Sequence, residues 1–131
     1  MNHTLDASAV LRYLDNEAGA NEVKKLFLDA YHQRTELHIC TVNWSEILYT
    51  CHKRGGPGSL SRLSAAPIIL IAVDEPLASL AADYRLKFKL HLADAFALAA
   101  ATQTKSTLVT ADYDFKVVAP LTGPIHFLPK K

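Results

Sequence analysis

The chain has 131 residues, enough for one ordinary domain over 1–131; half of them are hydrophobic and 21% are charged, the balance of a soluble globular protein. A formal net charge of +1 excludes a global field that draws in nucleic acid or membrane, so any polyanion site must be a local patch. The two cysteines, Cys40 in an apolar run and Cys51 on an apolar helical stripe, lack CxxC spacing, so they read as buried reduced thiols rather than as a disulfide scaffold or a zinc site.

The opening, Met1-Asn2-His3-Thr4-Leu5-Asp6, has neither a basic n-region nor an apolar h-region. The longest apolar stretch, Ala93 to Ala101, is interrupted by Asp94 and is too short for a bilayer. The expectation is a cytoplasmic protein with no membrane contact. His3 to Leu5 reads as a short strand ending at Asp6. Ala9, Val10, Tyr13 and Leu14 recur at helical spacing. Val23, Leu26, Phe27, Ala30 and Tyr31 repeat that pattern in a second helix over about 21–34, with Gly19 between the two. Tyr13, Phe27, Tyr31 and Trp44 all read as packing residues.

Leu37 to Val42 reads as a strand, followed by a helix from Asn43 to Arg54 with Trp44, Ile47, Leu48 and Cys51 on one stripe. Gly55-Gly56-Pro57-Gly58 ends it and reads as a loop inside the domain. Pro67 to Val73, a continuous apolar and β-branched run, reads as a strand covered on both faces. Glu75 to Leu86 is helical by spacing. Leu92 to Thr102 is apolar almost all round and reads as a buried helix. Thr107 to Thr110 and Ile125 to Leu128 are the last strands. Alternation of strand and helix predicts a three-layer α/β/α sandwich around a mostly parallel sheet of four to five strands. In such folds ligands bind beyond the C-terminal ends of the strands.

Four carboxylates fall on that rim: Asp6 after the first strand, Glu46 in the first turn of the helix after the second, Asp94 at the start of the Ala-rich helix, and Asp112 just past Thr110. Each has an ordinary structural reading. Asp6 suits a helix cap. Asn43-Trp44-Ser45-Glu46 has capping-box spacing, with Glu46 reaching back to the Asn43 amide. Asp94 suits a helix dipole, and Asp112 and Asp114 suit a turn. Together, acids from four distant segments converging on one edge point to a hard divalent cation, Mg²⁺ or Mn²⁺, because they offer only oxygen. The histidines His32, His38, His52 and His126 show no metal spacing.

The segments LDASAVL (5–11), NWSEILY (43–49), HLADAFALAAA (91–101) and LVTADYDF (108–115) resemble, in order and spacing, the four acidic motifs of the PIN-domain family, and most closely the VapC-like toxin ribonucleases of type II toxin–antitoxin modules. That resemblance spans essentially the whole chain. It implies that Asp6, Glu46, Asp94 and Asp112 hold one or two Mg²⁺ or Mn²⁺ ions for RNA hydrolysis, with Thr110 and Ser8 as supporting hydroxyls and Asp114 as a further acid or a loop residue. It implies a small antitoxin partner and a homodimer, for which the exposed sides of the first two helices are candidate surfaces. The stretch from Gly55 to Ala66 departs from the family pattern, being short and glycine-rich. Lys53, Arg54, Arg85, Lys87 and Lys89, with His91, are candidate phosphate contacts, and equally suit solvated helix faces. Two other readings stand beside the nuclease. One is a PIN-like module that binds RNA or protein without cutting. The other is a phosphatase-like domain with Asp6 as nucleophile, although Asp6-Ala7-Ser8 lacks the DxD pattern that would support it.

Overall fold

In the computed structural model, which describes residues 1–54, 57–63, 65–119 and 121–131, strands and helices alternate along the chain. The strands are β1 (His3–Leu5), β2 (Leu37–Cys40), β3 (Ile68–Ile71), β4 (Thr107–Thr110) and β5 (Ile125–Phe127). The α-helices are α1 (Ala7–Leu14), α2 (Ala20–Tyr31), α3 (Thr41–Lys53), α4 (Glu75–Phe88) and α5 (Leu92–Gln103). The sheet order is β3-β2-β1-β4-β5, and every neighbouring pair is parallel.

Side-chain alternation along the strands divides the core in two. Leu37 and Ile39 of β2 and Val109 of β4 face the layer of α1, α2 and α3, where they meet Val10, Val23, Phe27 and Ile47. Cys40 and Leu108 face α4 and α5, where Leu77, Ala81, Leu98 and Phe115 close the second cluster. The α/β/α sandwich expected from the sequence is therefore the architecture observed. The Ala-rich helix is buried as expected: Ala95, Ala97, Leu98, Ala99, Ala100 and Ala101 are all inaccessible or nearly so. Small side chains let α5 lie close to the sheet, and this brings Asp94 to the rim.

The chain builds outward from β1 through β2 to β3, then crosses back to place β4 on the other side of β1. The order thus reverses between β1 and β4, the switch point at which open parallel sheets form their crevice. Asp6 leaves one of these strands and Asp112 follows the other.

Several expectations change. The second strand ends at Cys40, not Val42, and α3 starts at Thr41, two residues before Asn43. Thr41 and Val42 are β-branched and read as strand, yet Cys40 is the extended residue that opens the helix. The Pro67–Val73 run contributes only Ile68–Ile71 to the sheet, and as an edge strand; Ile69 is 43% and Leu70 46% exposed, so it is not covered on both faces. Tyr31 is 70% exposed and packs no core, because it falls at the outer end of α2. Pro57–Leu63 forms 3-10 turns where the sequence suggested an open loop, while the structure of Gly55 and Gly56 lies outside the described residues. Cys40 and Cys51 are buried free thiols, as read. No helix among the described residues is long and apolar enough to cross a membrane.

Candidate active site

Asp6, Glu46, Asp94 and Asp112 line one depression of about 230 Å³, together with Ala7, Ser8, Leu11 and Asn43. The convergence expected from spacing is thus realised. Asp6 and Asp94 become neighbours because α5 packs on β1, and Asp112 joins them because β4 pairs with β1.

Asp6 is 3% exposed and its carboxylate is fully engaged. Oδ1 accepts from the Ser8 hydroxyl at 2.7 Å and from the Ala9 amide at 3.0 Å, which makes Asp6 the N-cap of α1. Oδ2 accepts from the Thr110 hydroxyl at 2.5 Å. Each hydroxyl in turn accepts a backbone N–H, Ser8 from Ala111 at 2.9 Å and Thr110 from Asp112 at 2.9 Å. Both hydroxyl protons therefore point at Asp6, and the network ties the end of β1 to the end of β4. The capping reading of Asp6 and the site reading hold together: the cap fixes one oxygen and the fold carries the group to the rim. Asp112 likewise accepts from the Asp114 amide at 2.9 Å, capping the turn Tyr113–Val117.

Burial pushes the Asp6 carboxyl up to about 6, with its hydrogen bonds opposing and the Asp112 charge adding a smaller push. Asp94 also rises to about 6, first through burial and then through the charges of Asp112, Asp6 and Glu46, with His91 opposing. None of the four acids is ion-paired to a lysine or arginine among the described residues. Four unpaired acids, one of them deeply buried, make a depression that favours a cation.

The capping box at Asn43 does not form. Glu46 lies in the second turn of α3, and its Oε1 takes the Asn43 side-chain amide at 3.4 Å rather than the backbone. Nδ2 of Asn43 also donates to the Ala93 carbonyl at 3.1 Å. Asn43 is therefore a residue of the depression that sequence reasoning assigned to helix capping.

Asp114 is not among the residues that line the depression of the four acids. It lines an adjoining depression of about 300 Å³ with Phe88, Lys89, His91, Asp94 and Tyr113. Of the basic candidates, Lys89 and His91 border the acids through this second depression. Arg54 is committed to Asp15 at 2.5 Å, and Lys53 lies over the Tyr49 ring, 5.8 Å from its centroid. Lys87 lies over Phe88, and Arg85 is an exposed residue of the same helix, α4.

The donor set is all oxygen, which suits Mg²⁺ or Mn²⁺. Among the described residues no three His, Cys, Asp or Glu side chains are gathered tightly enough to hold an ion as they stand. In their chemistry the four carboxylates, lining one depression with no cationic side chain among them, fit such an ion.

A parallel α/β sandwich with acids at its switch point defines the class of protein. The profile described as PIN domain matches residues 4–121, and the chain belongs to that family. No curated protein matches it in sequence. Among solved structures, the fold is similar to VapBC2 from Rickettsia felis bound to a DNA fragment from their promoter, with TM-score 0.77 and 15% identity over 98% of this chain and 100% of that one. DNA-bound VapBC from Salmonella typhimurium gives TM-score 0.77 and 14% identity over 97% and 98% of the two chains. FitAcB from Neisseria gonorrhoeae gives 0.69 and 17% over 95% and 96%.

Proposed function

We propose that this chain is a metal-dependent endoribonuclease, the toxin of a toxin–antitoxin pair, acting in the cytoplasm. The carrying observation is that acids from four separate segments line one depression at the switch point without a cationic side chain among them. Asp6 and Asp94 would hold one Mg²⁺ or Mn²⁺, with Glu46 and Asp112 completing the site directly or through water. Once bound, such an ion lowers the pKa of a water and neutralises phosphate oxygens. Ser8 and Thr110 fix the Asp6 carboxylate so that it need not reorganise when charge develops. Lys89 and His91 stand where an RNA strand leaving the acids would pass.

The likeness in fold to a toxin–antitoxin complex from Klebsiella pneumoniae and to a member of the VapBC family of toxin–antitoxin systems supports a small antitoxin as partner. A homodimer is the other expected assembly. Beside the exposed sides of the first two helices, the edge strand β3, with Ile69 and Leu70 exposed, is a further candidate surface for it.

The test compares wild type with Asp6→Asn on a mixed structured RNA in Mg²⁺, Mn²⁺ and EDTA. Cleavage in either metal, lost in EDTA and in the variant, is expected. Full activity in EDTA would sink the metal mechanism, and RNA retention without cuts would favour the non-cleaving module.

A further inference from the structure

Among the described residues, two buried side-chain atoms lack a hydrogen-bond partner: Nδ1 of His38, inside β2, and Oδ1 of Asn43, at the acid depression. Asn43 is 1% exposed and sits between α3 and α5. Its Nδ2 faces two acceptors, the Ala93 carbonyl and Glu46 Oε1. Neither can donate, so the amide cannot be turned over without setting oxygen against oxygen. The unpaired atom is therefore Oδ1.

A buried unpaired acceptor is destabilising. A leucine fills nearly the same volume without that cost, so simple packing of α3 on α5 does not explain an amide here. What leucine lacks is the N–H pair. One proton holds the residue next to Asp94 and the other holds Glu46, an otherwise exposed side chain with many rotamers. Restraining such a side chain beforehand removes part of the rotamer entropy lost when it becomes a ligand.

We propose that Asn43 is a positioning residue: it holds the Glu46 carboxylate of α3 in register with Asp94 of α5 for a divalent cation. This rests on the metal reading of the site, and its test separates the two. Mn²⁺ binding to the full chain is measured by calorimetry for wild type, Asn43→Leu, Glu46→Ala and the double variant. Partners behind metal ligands typically change affinity 10–100-fold. Asn43→Leu should weaken binding about tenfold in wild type and far less in the Glu46→Ala background, because the two act together. Equal affinity, or the same loss in both backgrounds, overturns the role of Asn43 while leaving the metal site intact. No Mn²⁺ binding by wild type overturns the metal reading and this role with it. Should the leucine variant fail to fold, the Asn43 side-chain amide signals of ¹⁵N-labelled wild type decide. They should move as Mg²⁺ saturates the site, and unmoved signals overturn the proposal.

Discussion

Asp94 carries a charge that the other acids of the depression leave uncompensated. Its carboxylate accepts no hydrogen bond from the described side chains or amides and faces Asp112, Asp6 and Glu46. A carboxyl held near 6 in the fold, against 3.8 ordinarily, binds its proton more tightly folded than unfolded. Its contribution to stability is therefore fully present below about 3.8 and is lost as pH rises through about 6. In EDTA, wild type and Asp94→Asn should show similar urea midpoints near pH 4. By pH 7.5 the variant should be the more stable, by on the order of 1 kcal/mol, the gain common where a strained site is relieved. Saturating Mn²⁺ should reverse the order, because only the carboxylate gains the metal. A difference independent of pH would show that burial and repulsion do not set this group's ionisation. The four acids could be placed near one rim from the sequence because the alternation of strands and helices was legible, even though the start of α3 was placed two residues late. Asn43 was not legible as a site residue, since its spacing to Glu46 is that of a capping box. Only the true helix start, two residues earlier, separates the two possibilities.

At the level of elements, sequence pattern identified which segments are helix and which are strand, and left their neighbours open. The run Pro67–Val73 has the composition of a central strand, and nothing local states that β3 has β2 on one side and none on the other. Gly19 is the converse, a position whose need is visible only in the fold. It opens α2 at φ +90°, and a Cβ there would stand 2.9 Å from Cβ of the fully buried Leu128. Neither the left-handed backbone nor the closed packing behind β5 tolerates a methyl group. Gly19→Ala should therefore lose roughly 1–3 kcal/mol of unfolding free energy, from strain and overpacking together. Urea denaturation measures it. An unchanged midpoint would mean that the segment leading from Leu128 yields freely.

For the molecule as a whole, a net charge of +1 means that the proposed binding of RNA would have to rest on a few placed cations rather than on a field. The sequence could list basic residues but not their commitments, which depend on long-range contacts: Arg54 meets Asp15, 39 positions away. The fold separates the candidates. Lys89 borders the depression that continues from Asp94, and no acidic side chain among the described residues pairs with it. Arg54 spends its guanidinium on Asp15. A cation that neutralises an RNA phosphate releases counterions, and deleting it lowers the slope of log affinity against log salt by about one. Binding of a non-cleaved RNA to the Asp6→Asn protein, titrated across salt, should therefore show that drop for Lys89→Ala and none for Arg54→Ala. Equal slopes for all three proteins would remove Lys89 from the RNA path. A drop for Arg54 alone would place that path along α3, on the Glu46 side of the acids.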